Sequence, residues 1–201
     1  MLKSTSSLII LGLAWLFLVT AGLGFTLNYE ATPGVAATAS DWPVASHLQL
    51  ATNKATLLVM AHPQCPCTRA TIEELNNLLA SCQDKVQVNV LFWKPKGYPK
   101  NWEQTALWRA AAAIPGVKVV TDEGGVEAHR FHASTSGQVF LFNPTGKLIF
   151  SGGITAGRGH IGDNAGRDAI VSLLTTGKAE RQKTFVYGCS LFNQGSRNPS
   201  P

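Results

Sequence analysis

Two cysteines, Cys65 and Cys67, stand one proline apart at the end of an apolar run. The run Ala55-Thr56-Leu57-Leu58-Val59-Met60-Ala61 reads as a strand, His62-Pro63-Gln64-Cys65-Pro66-Cys67 as a sharp turn, and the pattern from Thr68 as a helix. A thiol delivered to the first turn of a helix meets unpaired backbone N–H groups and the positive end of the dipole, both of which favour the thiolate. The chemistry of this pattern is thiol–disulfide exchange. Cys65, earlier in the turn, is expected to be exposed and to act as nucleophile, with Cys67 resolving the mixed disulfide. His62 and the helix start are expected to stabilise the negative sulfur. Pro66 has no N–H to donate and stiffens the turn. The bland alternative is two cysteines that merely cap a helix.

A second group lies in Gly157-Arg158-Gly159-His160, followed by Asp163-Asn164. Arg158 can supply positive potential, and His160 can move a proton or bind an anion. Asp163 or Asn164 can equally be a plain cap for the last helix. The segment lacks the lysine–serine or lysine–threonine ending of a phosphate-binding P-loop. The competing chemistry is a copper-type soft-metal site from His62, Cys65 and Cys67, completed by His129, His132 or His160. A third reading is a redox-inactive interaction module whose contact face is the aromatic group Trp93, Tyr98, Trp102 and Trp108. Cys82 follows a helix and reads as a buried thiol. Cys189 leaves three readings open: a buried residue, a partner for Cys82, or a third thiol near the active rim.

The elements that must position these residues are read from periodicity and turn signals. Residues Leu8–Leu27 carry no charge, and about 20 such residues span a bilayer as a helix. An uncleaved anchor is expected there, with a cleaved signal after Val19-Thr20-Ala21 or a buried domain helix as alternatives. Residues 1–7 would be a short cytoplasmic N-terminus, 28–41 a small, polar tether, 42–183 the folded domain and 184–201 a tail. After the strand and helix of the thiol turn come a strand at Val86–Phe92 and a helix from Asn101 to Ile114, stopped by Pro115-Gly116. A short strand at Val117–Thr121 and a brief helix from Gly125 to about Phe131 or His132 follow. The hairpin of Gln138–Phe142 and Lys147–Phe150 turns at Asn143-Pro144-Thr145-Gly146, and the last helix begins at Asn164 and ends near Gly177. Along the first domain helix, Arg69, Glu73, Glu74 and Asn77 read as the wetter side. Phe185–Leu191 is either a strand or a docking segment, before a polar finish at residues 198–201.

The chain has 201 residues and a formal charge of +5, but its basic residues are dispersed. No basic block or basic–aromatic alternation points to nucleic acid. Four cysteines in so long a chain are too few for a disulfide-scaffolded mini-domain and fit an oxidising compartment.

The order βα, βα, antiparallel pair, helix resembles the thioredoxin-like superfamily from about residue 44 to residue 177. More narrowly, Cys65-Pro66-Cys67-Thr68 and the phrase from Gly152 to Gly166 resemble the membrane-anchored thioredoxin-like proteins of bacterial envelopes, the RedB-like group. The resemblance implies an α/β fold: a central mixed sheet flanked by helices, preceded by a transmembrane helix. It implies a thiol–disulfide oxidoreductase with no cofactor, acting on protein or small-molecule thiols and disulfides. Its setting would be the bacterial inner membrane, with the soluble domain facing the periplasm. Ser136 and Gly137 would then line the substrate edge. Two departures are visible: the family separates its cysteines by two residues, and it places a cis-proline where this chain has Gly137.

Overall fold

The structure is a computed structural model that describes residues 2–192; the polar finish expected at 198–201 lies outside the described residues. It divides into two units, one ending at Thr32 and the other starting at Pro33. The first is helix α1, Leu2–Ala31, whose window Thr5–Ala31 has a mean hydropathy of 2.4. By length and composition α1 is long and apolar enough to cross a bilayer.

The second unit is built on a five-stranded sheet: β1 (Ala55–Ala61), β2 (Val86–Lys94), β3 (Val117–Glu123), β4 (Val139–Phe142) and β5 (Leu148–Gly152). Its order is β3-β2-β1-β4-β5. The first three strands run parallel, while β4 pairs antiparallel with both β1 and β5. Strand β1 is central, and six of its seven residues are buried, as a continuous apolar run requires when both faces are covered. One face packs α2 (Cys67–Cys82) and α5 (Ala165–Thr176) through Leu57, Val59, Leu75, Leu78, Val90 and Ile170. The other face carries Leu58, Met60, Phe131, Phe140 and Phe142, covered by Trp42, Leu48 and α4 (Val126–Arg130).

Three local readings change. The helix expected from Asn101 shrinks to α3, Ala106–Ala112. Asn101 sits at φ 65°, outside the helical range. Residues 102–105 are drawn into a turn, because Thr105 Oγ1 donates to the Pro63 carbonyl (2.9 Å) and Thr121 Oγ1 to buried Glu103 (2.7 Å). Glu74 is not on the wet side of α2: it is fully buried and takes Arg167 Nη1 (2.7 Å), the Gly162 N–H (2.7 Å) and Asn164 Nδ2 (3.1 Å). The stretch read as a tether is helical to Ala31, and from Gly34 it lies along the domain. Gly34 N donates to Val186 O (2.8 Å), Thr135 Oγ1 to Val35 O (2.8 Å), and Ala37 N to Gln138 Oε1 (3.1 Å).

At the other end, Asn164 caps α5 by accepting from Arg167 N, and Gly177 closes it in the left-handed region at φ 76°. The cap and the Glu74 clamp fix the loop 157–164 between α2 and α5. Phe185–Leu191 is a docking segment without a strand of its own. It is held by Gly153 N to Phe185 O (3.2 Å), Ser136 N to Cys189 O (2.8 Å) and Leu191 N to Ser134 O (2.8 Å).

Candidate functional site, a cluster of three thiols

The end of β1 delivers the chain into a turn in which Cys65 N donates to His62 O (3.2 Å) and Thr68 N to Cys65 O (3.0 Å). Pro66 then sits just before α2, where a missing N–H costs nothing. Ser136, ahead of β4, receives the His62 N–H (2.9 Å) and lies 2.9 Å from Thr68 Oγ1, tying the thiol turn to the β4 loop. Gly137 N reaches Met60 O (2.7 Å), and Gly137 takes φ 88°, a conformation that glycine adopts without a Cβ penalty.

The docking segment brings Cys189 onto this junction. The sulfurs of Cys65, Cys67 and Cys189 all lie within 4.8 Å of one another, and none is in a disulfide. This answers the question left open for Cys189: it is the third thiol at the rim. Cys82 is elsewhere, buried in the core with its Sγ on Leu78 O (3.1 Å). Sequence spacing held no signal for Cys189, because only the tail's return path brings it here.

The expectation that Cys65 is the exposed sulfur fails. Cys65 is 2% exposed and Cys67 8%, whereas Cys189 is half-buried. Gln64 and Pro66 stay at the surface while the sulfurs turn inward, and the tail covers them. Ser136 and Gly137, expected to line a substrate edge, are buried, and the tail carbonyl of Cys189 takes the Ser136 N–H.

Within the cluster the three sulfurs are driven apart in acidity, Cys65 downward and the other two upward. Hydrogen bonds from the Cys189 and then the Cys67 side chain hold Cys65 far below the ordinary thiol range, and backbone N–H groups of both residues add to this against the cost of burial. Cys189, the first of those donors, is pushed far above its ordinary value by giving its hydrogen to Cys65, then to Cys67, with burial adding. For Cys67 a hydrogen bond with Cys189 pulls downward. Donation to Cys65, burial and the Cys65 charge outweigh it, and the net direction is up. The guanidinium of Arg158 favours ionised Cys67, and its Nη1 donates to Gly188 O (2.6 Å), so loop 157–164 reaches the tail beside the thiols.

His62 plays a different part from the one expected. Its Nδ1 accepts from Gln64 N (3.1 Å), and its ring stacks on Trp93 with centroids 5.2 Å apart. Burial lowers its pKa, with the Cys65 charge pulling back, which leaves a neutral imidazole at neutral pH. It shapes the turn, and the hydrogen bonds to Cys65 come from the other two cysteines. His160 is exposed, and His129 stacks on Phe192 at 4.3 Å. Among the described residues, the group of three or more potential metal donors consists of the three cysteines, without His62, His129, His132 or His160. Trp93, Trp102 and Tyr98 pack edge to face on one another (6.0 and 5.2 Å), and Trp108 packs on Phe92 (5.1 Å).

The sheet order, the parallel βαβ half, the antiparallel hairpin and the flanking helices define a thioredoxin-like fold. Solved structures share it. An uncharacterized conserved protein from Geobacillus kaustophilus is 18% identical, with a TM-score of 0.59 over 83% of this chain and 95% of that one. A hypothetical protein from Sinorhizobium meliloti is 17% identical, with a TM-score of 0.57 over 82% of this chain and 96% of that one. A secreted disulfide oxidoreductase from Mycobacterium tuberculosis overlaps less, at 12% identity and a TM-score of 0.45 over 62% of this chain and 83% of that one. At these identities the likeness is one of fold. No family model and no curated protein matches the sequence.

Proposed function

We propose that this protein is a thiol–disulfide oxidoreductase tethered to the bacterial inner membrane by α1, with its domain on the periplasmic side. The observation that carries the reading is three sulfurs within 4.8 Å of one another at the strand–helix junction of a thioredoxin-like fold, with hydrogen bonds from the other two holding the Cys65 thiol below its ordinary range. Exchange needs a sulfur that is ionised at working pH and a second thiol close enough to resolve the mixed disulfide. Cys65 meets the first requirement. Cys67, the partner read from the sequence, and Cys189 both meet the second. The substrates are protein or small-molecule thiols and disulfides, and the sulfur chemistry requires no bound cofactor. The phrase from Gly152 to Gly166, similar to that of envelope proteins, and the apolar length of α1 support the setting.

The test is thiol trapping and mass mapping of the full chain, purified in metal-free buffer, before and after treatment with oxidised and reduced glutathione. A reversible disulfide that includes Cys65 is the expected result. Stoichiometric retention of copper by reduced thiols would replace this reading with soft-metal binding, since the three sulfurs also form a soft donor set. Neither a disulfide nor a metal would leave an interaction module.

A further inference from the structure

Resting on that reading, we propose that Cys189 is the sulfur at which substrate meets the site. In the oxidised protein Cys189 is joined to Cys65, and an incoming thiolate attacks Cys189 Sγ while Cys65 departs.

Accessibility comes first. Cys65 and Cys67 are buried residues, at 2% and 8% exposure, and Cys189 is the one residue of the three that is only half-buried. Exchange is an in-line displacement, so the sulfur attacked is the one that a second molecule can approach. The tail is also held in place. Ser136 N binds Cys189 O at 2.8 Å, Leu191 N binds Ser134 O at 2.8 Å, and Arg158 Nη1 binds Gly188 O at 2.6 Å. Gly188 is packed so closely that a Cβ there would stand 1.9 Å from Ser136 O. Cys189 is therefore a fixed wall of the site.

Ring closure argues the same way. A Cys65–Cys67 bond must close over Pro66 alone, whereas disulfides prefer Cα separations of roughly 4.4–6.8 Å with Cβ atoms facing each other. Cys189 arrives on a separate segment and is free of that constraint. The tail also occupies Ser136, so substrate cannot use that N–H and meets the outer side of the tail instead.

The steps balance. A substrate thiolate attacks Cys189 Sγ, and the Cys65–Cys189 bond breaks with its electron pair leaving on Cys65. That sulfur departs easily, because Cys67 donates a hydrogen bond to it as it becomes a thiolate. A second substrate thiolate then attacks the substrate sulfur of the Cys189 mixed disulfide. This forms the substrate disulfide and releases Cys189, which takes up one proton and donates it as a hydrogen bond to Cys65. Two substrate thiols are oxidised, the protein disulfide is reduced to one thiolate and one thiol, and one proton goes to solvent. Exchange with a small-molecule disulfide restores the oxidised protein.

The experiment maps disulfides in the full-length wild-type chain after equilibration with oxidised glutathione, then follows single-turnover reduction by glutathione in wild type, C67S and C189S. The expected wild-type bond is Cys65–Cys189, retained in C67S, with the trapped glutathione adduct on Cys189. C189S should lose roughly tenfold or more in turnover rate. A wild-type Cys65–Cys67 bond, a glutathione adduct on Cys65, or unchanged turnover in C189S would overturn this proposal while leaving thiol exchange intact. Absence of any reversible disulfide would overturn both. The wild-type map needs no variant, so a variant that fails to fold leaves the test standing.

Discussion

Gly188 lies against Ser136 with no room for a side chain: a Cβ on Gly188 would stand 1.9 Å from the Ser136 carbonyl oxygen and 2.9 Å from its carbon. Both neighbours are backbone, so neither can swing aside. This contact, with Ser136 N on Cys189 O, decides how deep the tail sits and hence whether the third sulfur reaches Cys65.

Replacing Gly188 with alanine should therefore lift the tail. Overpacking against backbone costs about 1–3 kcal/mol, small enough for the domain to stay folded. Withdrawal of the Cys189 donor should move the Cys65 titration back towards the ordinary thiol range. Faster alkylation of Cys65 together with a higher thiolate pKa is the expected outcome; native alkylation rates and ultraviolet thiolate absorbance measure the two.

The reduced wild-type protein should show one thiolate well below the ordinary thiol pKa of about 8.5. Because Cys65 is lowered while Cys67 and Cys189 are raised, its absorbance should persist on acidification, and the other two sulfurs should ionise only above their usual range. Cys65→Ser should abolish the persistent signal. Cys189→Ala, which removes the strongest donor, should shift it upward further than Cys67→Ala does. Equal shifts in the two alanine variants would mean that the tail thiol is no more than a neighbour.

Glu74 anchors the loop that carries Arg158 to the tail. It is fully buried and binds Arg167, Gly162 and Asn164 at once. Removing Glu74 takes away the acceptor of a charge-assisted hydrogen bond while Arg167 keeps Asp163 and Asp168 at 3.6 Å, so the cost should be about 1.5–3 kcal/mol. Glu74→Ala should lower the midpoint of denaturant unfolding accordingly. The Glu74→Ala Arg167→Met double variant should recover part of the loss.

The strand–turn–helix around the thiols was legible because three signals agree there: a continuous apolar run, a proline just before the helix, and helical periodicity after it. The Asn164 cap and the hairpin turn at Asn143–Gly146 were legible for similar local reasons. Periodicity places Glu74 on the wetter side because it gives only a helix face, and the partner loop is what makes that face interior. Asn101 looked like a cap by residue type, but Glu103 and Thr105 are claimed by Thr121 and Pro63, contacts that local pattern does not encode. The burial of Cys65 and the place of Cys189 have one cause. The tail returns over the thiol turn along Ser134–Ser136, a long-range pairing with no local signature.

His62 separates turn shape from charge stabilisation. Its Nδ1 accepts from Gln64 N, so protonating the ring removes that acceptor. Burial lowers its folded pKa below the unfolded value of about 6.5, so the unfolded chain binds the proton more readily. The sign follows: its contribution to stability is whole above about pH 6.5 and declines as the pH falls towards the folded pKa. His62→Phe keeps an aromatic ring against Trp93 but has no acceptor. It should cost about 1 kcal/mol at neutral pH, the net value of one hydrogen bond, and flatten the acid limb of the stability curve. Its Cys65 thiolate should titrate as in wild type, because Cys189 and Cys67 supply the hydrogen bonds. A marked upward shift of Cys65 in this variant would return His62 to the role of thiolate stabiliser.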